Sequence, residues 1–236
     1  MMTLLINGDS HAAAAECVNT YGWAQDDSRY FMQGRRPHPD NLVKSFGYLL
    51  ANPLQLGLVM LAEAGSSNDR IMRTTRDFLK NADEENTLLI IQWSTWERQE
   101  WKIKGEYYQI GSSGADHLPE SHQSKYKEWV SARPRWEDVT KHAHEDIWVF
   151  HQELVERNIK HVFFNGNNHF SDIVEQDRKD WGVNYIAPYD YTQTYDYWLQ
   201  SNDYQYVRKD SMHYGPDAHQ AWKKKLLKYI LDNKLA

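Results

Sequence analysis

Short runs of consecutive apolar residues, separated by segments with helical spacing, set the rhythm of this chain. Thr3 to Asn7 (TLLIN), Leu56 to Ala62, Thr87 to Trp93 (TLLIIQW) and Lys160 to Asn165 (KHVFFN) are too short for buried helices and carry no polar alternation. Val183 to Ala187 is a weaker fifth run. Runs of this kind are expected of strands covered on both faces. Between them, His11 to Val18 is alanine-rich and reads as a helix. Asn41 to Ala51 places Leu42, Phe46, Leu49 and Leu50 at helical spacing. Asp69 to Asn81 aligns Ile71, Met72, Thr75, Phe78 and Leu79 on one face. Glu137 to Asn158 and Pro216 to Asn233 read as two longer helices. Tyr21 to Asp40 is polar and broken by Pro37 and Pro39, and from Arg98 to about Arg135 the periodicity is lost.

Strands alternating with helices predict an α/β fold, with a parallel sheet between two layers of helices. Sites in such sheets form beyond the carboxyl ends of the strands. The chain shows no internal repeat and no low-complexity tract. Its 236 residues suit one domain spanning 1–236, with an insertion at about 98–135.

Composition narrows the function classes. A formal charge of -6 argues against a general nucleic-acid binder, and Lys223-Lys224-Lys225 reads as the solvated face of the last helix. No apolar stretch approaches the ~20 residues a membrane span needs. The first residues carry no basic segment and no small-residue cleavage site, so the expectation is a protein that is cytoplasmic or released without a signal peptide. Cys17 stands alone, which excludes an internal disulfide. The aromatic content is high, with 10 Trp and 15 Tyr. Tyr185, Tyr189, Tyr191, Tyr195, Tyr197, Trp198, Tyr204 and Tyr206 crowd one stretch, as packing for a long loop or as a rim for a flat ligand.

Two clusters carry chemistry. Gly8-Asp9-Ser10-His11 follows the first strand, where a sharp turn exposes a serine beside unpaired backbone amides, as in a nucleophile elbow. Asp210-Ser211-Met212-His213 precedes the last helix, and Gly215-Pro216 suits that helix's first turn. A serine needs a base, and a histidine base needs an acceptor to fix its tautomer. Each cluster alone also reads as an ordinary turn. Together, Gly-Asp-Ser after the first strand and Asp-x-x-His before the last helix resemble the SGNH/GDSL hydrolases over nearly the whole chain.

That resemblance implies a flavodoxin-like three-layer α/β/α sandwich and ester hydrolysis through an acyl-serine, with no cofactor and no metal. It makes Ser10 the nucleophile, His213 the base and Asp210 the orienting carboxylate, and gives His219 a structural place. Gly65, in Ala64-Gly65-Ser66-Ser67-Asn68, matches the family's second block and joins the Ser10 amide in an oxyanion hole. The third block departs from the pattern. Where the family has Gly-x-Asn-Asp, this chain has Ser94-Thr95-Trp96-Glu97-Arg98. Thr95, Ser94 or Asn68 stands in for the absent asparagine. The substrate expected is a small-molecule or glycan ester, with acetyl as the acyl group. Arg70, Arg73 and Arg76, with Arg98 and Glu97, either clamp an anionic group or pair among themselves; Arg70 and Arg98 are the substrate-binding candidates.

The residues also support two rival readings. Gly166-Asn167-Asn168-His169, with His142, His144 and His151, faintly echoes a metal-dependent phosphoesterase. The altered third block and the insertion suit a binding or structural module on the same fold.

Overall fold

The structure is a computed structural model that describes residues 2–22, 37–112, 114–115, 118–132 and 135–236. Most of the polar loop expected at Tyr21 to Asp40 lies outside the described residues. The chain begins with β1 (Thr3–Asn7), followed by α1 (Pro39–Leu42), α2 (Phe46–Leu54) and β2 (Gly57–Met60). Next come α3 (Asn68–Leu79) and β3 (Thr87–Trp93). The insertion holds β4 (Gln99–Ile103), β5 (Glu106–Gly111), β6 (Gly114–Ala115) and α4 (Glu120–Ala132). The chain then forms α5 (Trp136–Glu156), β7 (Lys160–Asn165), α6 (Tyr195–Ser201) and α7 (Pro216–Asp232).

β1, β2, β3 and β7 form one parallel sheet in the order β2-β1-β3-β7, the doubly wound, flavodoxin-like order. All seven residues of β3 are buried, as its unbroken apolar run predicts. Alternate residues feed opposite faces, because side chains of a strand alternate. Leu4, Ile6, Leu88, Ile90, Val162 and Phe164 pack with α2, α6 and α7. Leu5, Leu89, Ile91, Trp93 and Phe163 pack with α3 and α5. The result is the three-layer α/β arrangement. No helix among the described residues is long and apolar enough to cross a membrane.

Three expectations need correction. His11 to Val18 is not a helix but a chain of turns, because Ala14 and Glu16 take left-handed φ values of 52° and 61°. Asn41 to Ala51 is split between α1 and α2, where Ser45 ends one segment and caps the next by accepting from the Tyr48 amide. Val183 to Ala187 forms no strand; it meets the sheet in one bridge, Tyr185 to Phe163. The insertion is structured: its three antiparallel strands bury Trp101, Ile103, Ile110 and Leu118, with Tyr126 and Trp129 of α4 packed on them.

Lys225 corrects the reading of the lysine run. Its ammonium lies 4.6 Å from the ring centroids of both Trp198 and Trp222 and donates to Gln193 Oε1 at 2.9 Å. Burial lowers it to about 8.

The interior also holds neutral histidines. His161 Nε2 meets His151 Nδ1 at 2.8 Å, and burial lowers His161 to about 4. His219 accepts the Phe46 amide at its Nδ1, and burial lowers it to about 3. An unfolded histidine takes its proton near 6.5. Below that value the unfolded chain binds more protons than the folded one, so stability falls as pH is lowered from about 6.5 toward 4. His161 alone carries on the order of 3 kcal/mol of this loss. Thermal unfolding at pH 7.5, 6 and 5 is expected to give a melting temperature that drops by several degrees at the acid end; a flat or rising profile contradicts this account.

Candidate functional site

Three loops leave the carboxyl ends of the neighbouring strands β2, β1 and β3, and polar side chains knot them together. The loop after β1 is Gly8-Asp9-Ser10-His11. Its turn is built on Gln92 of β3, whose Oε1 accepts the amides of Asp9 (3.1 Å) and Ala12 (3.3 Å). Gln92 Nε2 donates to the Trp93 carbonyl. Glycines flank this side chain for lack of room. A Cβ on Gly8 would meet Gln92 Oε1 at 2.9 Å, and one on Gly166 would meet Gln92 Nε2 at 2.3 Å. The Gly166 of the supposed metal motif therefore serves to admit Gln92.

Asp9 is buried and accepts from the His11 amide (3.0 Å), Ser94 Oγ (2.9 Å) and Arg98 Nη1 (3.2 Å). Burial pushes its carboxyl up, but His11, Arg98 and these hydrogen bonds outweigh that and hold it below the ordinary value. Arg98 Nη1 also donates to Ser94 Oγ (2.9 Å) and the Ser66 carbonyl (3.5 Å), so one guanidinium touches all three loops. Arg98 is committed to this knot rather than to a substrate anion. Arg70 is likewise committed: it is buried against Glu63 at 2.6 Å and donates to Leu61 O and Ser66 Oγ. Arg73 pairs with Glu100 and Arg76 with Glu153, so these arginines find carboxylates outside their own group.

The second and third blocks are joined by Asn68. Its Oδ1 accepts the Ser94 amide at 2.8 Å, and its Nδ2 faces the Ser94 carbonyl at 3.4 Å. Asn68 is thus spent on backbone and does not replace the family's oxyanion asparagine. Thr95 Oγ1 is buried without a partner among the described residues. Gly65 takes φ +83°, which a side chain would strain. The Glu63 amide donates to the Gly8 carbonyl at 3.2 Å, tying this loop to the serine turn. Among the described residues, neither the Ser10 amide nor the Gly65 amide has a hydrogen-bond partner.

The structure does not bring Asp210 to His213. The Asp210 side chain is 82% exposed and pairs with Arg208. His213 Nδ1 instead meets Glu16 Oε2 at 2.7 Å. Ser211 Oγ donates to the same carboxylate at 2.6 Å, and Arg208 Nη2 holds its other oxygen at 2.5 Å. Burial pushes Glu16 up, but the hydrogen bonds from Ser211, His213 and Arg208 outweigh it and keep the carboxyl below its ordinary value. The left-handed turns that replace the expected helix deliver Glu16 here. A single acidic residue in an alanine-rich run gave no sign of this in the sequence.

The His213 ring lies 5.7 Å from the ring of His11, the residue after Ser10. No hydrogen bond among the described residues holds the Ser10 hydroxyl. His11 is buried between Tyr195 and Tyr214, its Nδ1 without a partner among the described residues. The tyrosine-rich stretch divides: Tyr185 and Tyr195 are core, while Tyr191 and Tyr197 are exposed and pack edge to face at 4.9 Å.

The supposed metal histidines do not converge. His142 is exposed, His144 meets Tyr189, His151 meets His161 and His169 meets Ser171. Among the described residues no three His, Cys, Asp or Glu side chains form a group able to hold a metal ion.

No family model and no curated protein matches the chain. Solved structures give weak likenesses along its length. A psychrotrophic esterase, EstA, from Pseudoalteromonas sp. is 11% identical, with 98% of each chain covered and a TM-score of 0.48. LAE5, an α/β hydrolase enzyme from the metagenome of Lake Arreo, is 15% identical, covering 97% of this chain and 94% of that one at a TM-score of 0.45. An Axe2 mutant, an acetyl-xylooligosaccharide esterase from Geobacillus, is 12% identical with the same coverage and a TM-score of 0.44. Likeness at this level carries nothing about chemistry, so the reading of function rests on the residues above.

Proposed function

We propose that the protein is an SGNH-type serine esterase in which Glu16, not Asp210, orients the catalytic histidine. The observation that carries this reading is the 2.7 Å contact between His213 Nδ1 and Glu16, with the His213 ring 5.7 Å from that of His11, the residue after Ser10. A carboxylate at Nδ1 leaves Nε2 as the basic nitrogen and stabilises the imidazolium once it forms. Ser10 Oγ attacks the ester carbonyl and its proton passes to His213 Nε2. The tetrahedral oxyanion is received by the Ser10 and Gly65 amides, whose lack of other partners suits them to it. His213 returns the proton to the departing alcohol, and the same base then activates water to release the acid. A small acyl group, acetyl on a carbohydrate, is the proposed substrate. The exposed Tyr191 and Tyr197 pair supports a sugar-facing rim. No cofactor enters this scheme.

p-Nitrophenyl acetate and butyrate, with a phosphonate serine probe, test the reading. Wild type is expected to turn over both esters and to be labelled by the phosphonate. Ser10→Ala and His213→Ala, folded, are expected to lose kcat by about 1,000-fold or more. A wild type inert to both esters and the phosphonate instead favours a binding module on this fold.

The carboxylate assignment has its own test. Glu16→Gln is expected to lower kcat by about 100-fold or more, while Asp210→Asn stays within about threefold of wild type. The reverse order restores Asp210 to the relay.

A further inference from the structure

Beyond Arg98, the insertion touches the loop after β2 through a buried side chain. Gln109 of β5 accepts the Ser67 amide at its Oε1, at 2.7 Å. Its Nε2 donates to Glu100 Oε1 at 2.9 Å. Glu100 of β4 in turn receives Arg73 Nε and Nη2 at 2.6 and 2.7 Å, and Arg73 belongs to α3, the helix that Ser67 caps. These bonds close a ring from Ser67 through Gln109, Glu100 and Arg73 back to α3. The Tyr107 ring covers the guanidinium at 3.9 Å.

Helix capping explains why an outside residue is needed. The Ser67 hydroxyl accepts the Arg70 amide, the first half of a capping box. The second half requires an acceptor at the third helical position, reaching back to the cap residue's own amide. That position is Arg70, which has no acceptor and is committed to Glu63. The Ser67 amide is fully buried and needs a partner, and the insertion supplies one.

We propose that Gln109 is a positioning residue: through Ser67 it sets the loop that aims the Gly65 amide, and so couples the insertion to the oxyanion site. This rests on the esterase reading for its catalytic consequence. Gln109 touches no reacting atom. Its effect is on where the donor two residues before Ser67 sits when charge develops.

Gln109→Met keeps the length of the side chain and removes its hydrogen bonds to Ser67 and Glu100. Gln109→Asn keeps polarity but falls one methylene short. The paired exchange of Gln109→Glu with Glu100→Gln restores an acceptor for Ser67 and a donor between the two strands. Activity on p-nitrophenyl acetate and amide exchange of residues 61–70, read by mass spectrometry, are the measurements. For either single variant, kcat is expected to fall about 10- to 100-fold with KM within about threefold. Exchange of residues 61–70 is expected to quicken, and the paired exchange to bring kcat back within about threefold of wild type. If Gln109→Met does not fold, Gln109→Asn and the paired exchange carry the comparison. An active wild type whose folded Gln109 variants keep kcat, or whose lost kcat the paired exchange does not recover, overturns the positioning role while leaving the esterase reading intact. A wild type inert to ester and phosphonate overturns both.

Discussion

A charged carboxylate in a protein interior is tolerable only when surrounded by donors, and Asp9 imposes that constraint at the centre of this site. Its donors come from its own turn, from Ser94 after β3 and from Arg98 beyond it. Because Arg98 also reaches the Ser66 carbonyl, satisfying Asp9 fixes the mutual position of all three loops. Removing the cation would strand a buried charge, a loss of about 3–5 kcal/mol in comparable pairs. The ion pair is better understood as a geometric device than as a source of net stability, since burying both charges offsets most of their attraction. The serine beside Asp9 gains a rigid turn, and the loop carrying Gly65 gains a fixed neighbour.

The histidine is held by a different logic. In an Asp-x-x-His turn, acceptor and base share one short loop and their geometry is local. Here the acceptor is 197 residues away in sequence. Its place depends on the segment after the serine failing to become a helix. Left-handed Ala14 and Glu16 are costly for residues with a Cβ and persist only where the surroundings dictate them. The surroundings are visible: the four consecutive alanines are buried, and Glu16 is met by Ser211, His213 and Arg208. Such strain beside a proposed base fits a segment shaped for a site more than one shaped for local preference.

The fold was legible because burial on both faces writes an unbroken apolar run into each strand; the β3 run TLLIIQW left little choice. The two ends of the candidate site could be located in the sequence because Ser10 and His213 each sit at the edge of an element whose boundary is marked. What could not be read depends on side chains meeting across long separations. Alanine favours helix, so the run after His11 hid a set of turns. Asp210 lies at the familiar spacing, yet it points to solvent and pairs with Arg208. Gln92 sits within an apolar strand and gave no hint that it builds the serine turn. Val183 to Ala187 has strand composition but meets the sheet only at Tyr185, so composition set its burial without its pairing. The insertion defeats periodicity because its strands are short and their buried apolar side chains are few, packed with Tyr126 and Trp129 of α4.

The missing third-block asparagine now has a physical account. An asparagine there would supply a side-chain N–H to the oxyanion. In this chain the adjoining polar positions are occupied: Ser94 serves Asp9, Asn68 serves the Ser94 backbone, and Gln92 serves the serine turn. With these three holding the loops, the esterase reading leaves the backbone amides of Ser10 and Gly65, and the Thr95 hydroxyl that has no partner among the described residues, as its candidate oxyanion donors. One oxyanion donor fewer raises the barrier by about 3–4 kcal/mol, unless other groups compensate. On that reading, a site with few donors loses more from any looseness in them than one with donors in reserve. That asymmetry gives the rigid scaffolding a purpose. Arg98 and Asn68 fix the loop from the sheet side, and Gln109 fixes it from the insertion. On the esterase reading, the precision of the donors, rather than their number, is what such an arrangement offers catalysis.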